Sequence, residues 1–269
     1  MLIDVIKALF YACSSYPKVA APHRLYPSED YEICILSTFV PAVSLYGHVA
    51  DIVSEFRRGD RSIGSLEIGK TMARGISIIV QDMGLRANVA LAMYSAFLSY
   101  LDALTDVAVR DFREALRRLY QALLYVPADE TSELIKVLRS IGGEYARVLD
   151  LLELSERRAV MEGVNLADFF SLMARHMKVF EPLTSQQKVL TIIASAENYF
   201  KITRNINTAL SLTFIETVRE ALPQSINLAK AQLQDLLKLD VSYRKAGKDL
   251  SYAMPYTIFA SLYLVKSAP

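Results

Sequence analysis

From Leu2 to Val265 the apolar residues recur at helical spacing in nearly every stretch between breaks, and no stretch alternates with period two for long enough to make a strand. That pattern restricts the chain to helices packed on helices. Composition agrees, because ten Gly and nine Pro in 269 residues are few for the tight turns of an all-β chain. The expected fold is all-α: a single domain over residues 1–269, a bundle of roughly ten or more helices with buried apolar helices at its centre.

The pattern predicts helices over Leu2 to Ala12, Asp30 to Phe56 with an interruption at Pro41 or Gly47, Ile63 to Val80, Val89 to Leu104 and Val107 to Tyr125. Further helices are expected at Asp129 to Ile141, Gly143 to Leu154, Asn165 to Lys178, from the capping box Thr184-Ser185-Gln186-Gln187 to about Ile202, Asn205 to Leu222, Gln224 to Leu239 and at the apolar C-terminal stretch. Gly64, Gly69 and Gly75 would let a neighbouring helix come close. Arg110, Arg113, Arg117 and Arg118 beside Asp111 and Glu114 read as a solvated face of mixed charge rather than an anion-binding strip.

With 30 Lys plus Arg against 29 Asp plus Glu, the formal charge of +1 lacks the basic surplus of a general nucleic-acid binder. The 52% hydrophobic content supplies enough apolar surface to exclude intrinsic disorder. Mean hydropathy is +0.23. The two most apolar stretches, Ala87 to Leu101 and Tyr252 to Val265, are each about 15 residues, short of the roughly 20 that cross a bilayer, so no membrane span is expected. Only Cys13 and Cys34 occur, too few for a disulfide framework or a four-thiolate zinc site, and both read as buried structural thiols. A cytoplasmic location without a signal peptide is the corresponding expectation.

Two breaks attract function. Pro17, Pro22 and Pro27 forbid a helix between Ser14 and Ser28, and Lys18, His23 and Arg24 in that segment either converge on an anion or decorate an exposed loop. The second break, Gln81 to Asn88, sets Gly84, Arg86 and Asn88 before an apolar helix, where free N–H groups can hold phosphate. No phosphate loop, dinucleotide fingerprint, zinc-protease motif or nucleophile elbow occurs, and His23, His48 and His176 lack metal-ligand spacing, so no protein metal site is expected.

These segments, in this order, resemble the triphosphoribosyl-dephospho-CoA synthase family, whose all-helical members transfer the triphosphoribosyl part of ATP to dephospho-CoA with loss of adenine. Ala12-Cys13-Ser14-Ser15-Tyr16-Pro17-Lys18-Val19-Ala20-Ala21-Pro22-His23-Arg24 is similar to its first motif at Pro17, Lys18, His23 and Arg24. Tyr31, Glu32 and Ser37 fall where the family starts a similar helix. Met83 to Ala90 meets the second motif at Gly84 and Asn88. Pro223-Gln224-Ser225-Ile226-Asn227-Leu228-Ala229-Lys230 keeps Pro223, Ser225 and Lys230 of a third, and Ser251 to Thr257 keeps nothing of the last. The resemblance thus implies Lys18, His23, Arg24, Gly84, Asn88, Ser225 and Lys230 as contacts of a phosphate or nucleotide, to which the break before the apolar helix adds Arg86, and ATP with Mg as substrate where the parent activity is retained. The family's carboxylates are replaced by Ala12, Gln224 and Thr257. Cationic contacts without metal-holding or proton-accepting groups suggest binding of a nucleotide or CoA-derived molecule without the parent chemistry. The alternative is a non-catalytic helical scaffold that meets a second copy or a protein partner.

Overall fold

The computed structural model describes residues 1–26, 29–105, 112–223 and 233–267. Among these residues there is no strand, and the chain is an all-α bundle. The α-helices are α1 Leu2–Ser14, α2 Asp30–Arg58, α3 Ile68–Met83, α4 Val89–Leu104, α5 Phe112–Tyr125, α6 Ala128–Ile141, α7 Gly143–Leu151, α8 Glu156–Glu162, α9 Leu166–Ala174, α10 Gln186–Thr203, α11 Ile206–Thr217, α12 Leu233–Lys245 and α13 Met254–Ser267.

The centre is α4. Its side chains are buried on every side from Val89 to Asp102, as an all-round apolar helix requires. It packs against α1, α2, α3, α5 and α13. Phe97 meets Phe259 and Tyr120 edge to face, which joins α4 to α13 and α5. A smaller apolar cluster, built on Ala196, Ala209, Leu210, Ala260 and Leu264, ties α10 and α11 to α13.

Several helix starts follow from local chemistry. The side chains of Asn88, Ser155, Asn165, Ser185 and Asn205 each accept the amide three residues on, at the heads of α4, α8, α9, α10 and α11. Other boundaries differ from the sequence expectation. The α2 helix runs unbroken through Pro41, with the Ser95 hydroxyl of α4 donating to the Thr38 carbonyl in the preceding turn at 2.6 Å. The α3 helix begins at Ile68 rather than Ile63, because Glu67 takes a left-handed conformation, φ +56°. The short α8 falls in a stretch read as a connection, and the Arg110 and Asp111 part of the charged face lies outside the described residues. The remaining face is solvated and paired: Glu114 meets Arg117 and Arg118 at 2.7 and 2.9 Å.

Gly69 shows why a small residue is needed where α3 meets α6. A Cβ there would lie 2.9 Å from both the Glu130 side chain and its carbonyl. Among the described residues one helix, α2, is long and apolar enough to cross a membrane by length and composition, although neither stretch singled out in the sequence is; 39% of its most apolar window is buried in this bundle.

Candidate functional site

The Pro-rich segment is pinned rather than loose. Residues 15–26 contain neither helix nor strand, and the Tyr16–Pro17 peptide is cis. Cys13 and Cys34 are not the thiols expected from sequence. They form a disulfide with a Cα separation of 5.9 Å, so their pairing removes the argument from reduced thiols to a reducing compartment. They share no local sequence signal; α1 and α2 bring them together.

Lys18 is fully buried, and its Nζ donates to the carbonyls of Ala12 at 2.6 Å, Pro22 at 2.8 Å and Cys13 at 3.2 Å. The ammonium therefore caps the negative end of α1, with one acceptor for each of its protons. Burial pushes its pKa well below the ordinary lysine value. His23 is also buried: Nε2 meets Asp240 at 3.1 Å, while Nδ1 accepts the Leu25 amide at 3.2 Å. Asp240 further accepts the Ala20 amide and Arg244 Nε, and Arg244 reaches Asp30 at 2.6 Å and the Ala21 carbonyl. Arg24 is exposed and lies over the Tyr16 ring at 4.5 Å. Neither alternative read from the sequence, convergence on an anion or an exposed loop, holds for all three: Lys18 and His23 are internal fasteners and Arg24 alone is exposed.

The second break also separates its candidates. Gly84 closes α3, and Arg86 is exposed, 3.8 Å from the exposed Glu29. Asn88 spends its side chain on the Leu91 amide and its own N–H on the Ser37 hydroxyl. The Ala90 amide serves the Tyr145 hydroxyl. The head of α4 is therefore largely satisfied by protein groups, which corrects the expectation of free N–H groups there. Ser225 and Lys230 lie outside the described residues.

What Asn88 does mark is a groove. It lines two cavities, of about 320 and 520 Å³, which also share Asp249 and Ser251. The first is bounded by Tyr145, His176 and Lys178, the second by Ala20, Ala21, Pro22, Tyr26, Arg244 and Lys248. Lys178 and Tyr252 continue into a third cavity of about 530 Å³, beside Arg175, Glu181, Lys188 and Tyr256. Lys18, His23, Gly84 and Arg86 line none of these cavities, and Arg24 borders a separate one beside Asn207.

Charge along the groove is uneven. Asp30 is held by Arg244, and both Asp249 oxygens accept from Ser251, its amide at 2.8 Å and its hydroxyl at 3.0 Å. Lys178 and Lys248 have no ion pair among the described residues; each lies over a tyrosine ring, Tyr252 at 5.2 Å and Tyr243 at 4.4 Å. Tyr145 is pushed up to about 12 by burial and by Glu144, so its hydroxyl stays a hydrogen-bond donor at neutral pH. The groove can thus offer two ammonium groups and a phenol to an anion, with the carboxylates of Glu144 and Asp249 in the same lining. Sequence reading missed Lys178, Lys248 and Tyr145, which are far apart along the chain; the polar turn around Lys248 was the one local signal.

Ala12 and Thr257, where the resemblance places lost carboxylates, are fully buried. Among the described residues no group of three His, Cys, Asp or Glu side chains is placed to hold a metal ion. These residues do not form a protein cage for Mg. No family model, curated protein or solved structure matches the chain.

Proposed function

We propose that the chain binds a nucleotide or CoA-related phosphate ligand in the Asn88 groove, as a divergent relative of the triphosphoribosyl-dephospho-CoA synthases that has lost the motif carboxylates of the parent reaction. The observation that carries this reading is the placement of Lys178 and Lys248, which make no ion pair among the described residues, in two cavities that share Asn88, Asp249 and Ser251 in their lining. Ammonium groups with no internal partner lose no ion pair when they meet a phosphate, so their attraction is available to a ligand. A reading without the parent reaction is supported by Ala12, Gln224 and Thr257 standing where the resemblance places carboxylates. ATP or dephospho-CoA at millimolar concentration, with and without Mg²⁺, should raise the melting temperature, because a ligand selective for the folded state stabilises it by mass action. No shift with either compound removes the reading.

A second reading, a scaffold that meets a protein partner or a second copy, is favoured by α2. Leu36 and Val43 of this apolar helix are 45% and 59% exposed. Sedimentation across a concentration series tests self-association, and Leu36→Glu with Val43→Glu should abolish it.

A further inference from the structure

The Cys13–Cys34 disulfide brackets one wall of the groove. Cys13 lies at the end of α1 and Cys34 near the start of α2, and the segment between them supplies Ala20, Ala21, Pro22, Tyr26 and Asp30 to a single cavity. The buried apolar side chains of this segment, Val19, Ala20 and Ala21 among them, are small. Much of its hold is polar: Lys18 grips three carbonyls, two of them at the helix end that Cys13 staples, and Asp240 grips the Ala20 amide and His23. Residues 13–23 are buried almost without break, so the wall keeps its place through these polar contacts and the disulfide together.

We propose, resting on the ligand-binding reading above, that this disulfide is a redox latch on the groove: oxidised, it holds the wall in the form that takes the phosphate ligand, and reduced, it lets the wall loosen and affinity fall. The step is a two-electron exchange. A dithiol supplies two electrons and two protons, the S–S bond breaks, Cys13 and Cys34 become thiols, and the dithiol becomes a cyclic disulfide. The two thiols then require van der Waals separation in space that held a bond, next to Thr38, whose hydroxyl lies 4.0 Å from the Cys13 sulfur. Displacement of Cys13 carries with it one of the carbonyls that anchor Lys18. Both sulfurs are buried, so the reductant gains access as the segment opens.

Hydrogen exchange on the full chain, oxidised and after dithiothreitol, tests the latch, with ATP and dephospho-CoA affinities measured by calorimetry in both states. Amides of residues 15–26 should exchange roughly tenfold faster after reduction while α4 and α13 keep their protection, and the Kd of the binding compound should rise by about tenfold. A Cys13→Ala/Cys34→Ala double variant should reproduce the reduced pattern without depending on reductant access. Equal loss of protection in every helix, unfolding of the variant, unchanged protection at residues 15–26 or an unchanged Kd overturns the latch. Binding of neither compound in either state, with the local exchange change present, overturns the ligand assignment and leaves the redox control of the wall standing.

Discussion

Asp240 of α12 meets the His23 ring at 3.1 Å, and both side chains are buried although 217 residues separate them in the chain. The contact fixes the Pro-rich segment to the helix that also carries Arg244. Asp240→Asn keeps the shape but removes the charge that Arg244 and His23 surround, leaving the guanidinium with Asp30 as its remaining carboxylate. Breaking one side of a buried pair typically costs about 3 kcal/mol. The variant should show that loss as a lower urea midpoint with an unchanged slope.

The same carboxylate predicts an acid limb. Burial works to raise the Asp240 pKa, but hydrogen bonds from His23, Arg244 and the Ala20 amide outweigh it, and the net direction is down from 3.8. The unfolded chain then takes up the proton first as pH falls. The stabilisation is fully present above 3.8 and is lost as pH drops through the depressed folded value. Urea midpoints between pH 5 and 2 should fall less steeply in Asp240→Asn than in the parent.

Glu130 predicts the opposite slope. Burial pushes its carboxyl up to about 7, against the Gly69 and Lys70 amides that favour its charge. Between 4.5 and about 7 the folded chain binds the extra proton, so this group makes stability decline as pH rises through that window and then level off. Glu130→Gln should remove that component. An equal decline in the variant would place the titration elsewhere.

Local chemistry made part of this fold legible. Asn165 announced a helix head because a cap needs only a polar side chain before an apolar repeat, the capping box read from Thr184 falls one residue before the cap that Ser185 supplies, and α4 starts and ends where its spacing predicts. Burial was not legible in the Pro-rich segment. Lys18 and His23 look like loop cations until α1, α2 and α12 surround them, and the partners that satisfy them are backbone carbonyls and one distant carboxylate. The disulfide is of the same kind, since 21 positions separate its cysteines and only the packing of α1 on α2 sets their distance. Lys178 and Lys248 share a groove only because Asn88, Asp249 and Ser251 sit between their cavities.

Those two lysines should act on binding without acting on stability. Both are exposed and make no ion pair among the described residues, so Lys178→Ala and Lys248→Ala should each change stability by less than about 0.5 kcal/mol. Each should weaken ATP or dephospho-CoA by about tenfold, the loss expected for one charge-assisted hydrogen bond. Calorimetry alongside thermal unfolding separates the two effects, and a parent-like affinity in the double variant would remove the groove from consideration.

Lys18 should behave the other way. As an anion contact, the role its resemblance implies, its loss would lower affinity and spare the fold. The geometry assigns all three N–H groups to the carbonyls of Ala12, Cys13 and Pro22, and Lys18 lines none of the four cavities described above. Lys18→Met keeps the bulk of the stem but leaves three buried acceptors without their donor, and each such orphan costs about 1–3 kcal/mol. Guanidinium unfolding should therefore show a loss of about 3 kcal/mol or more, read from the midpoint. Ligand affinity measured below the shifted melting range should stay within about threefold of the parent unless the wall at Pro22 has moved, which hydrogen exchange at Ala20 and Ala21 would report. Normal stability with lost affinity would instead restore Lys18 to the binding site.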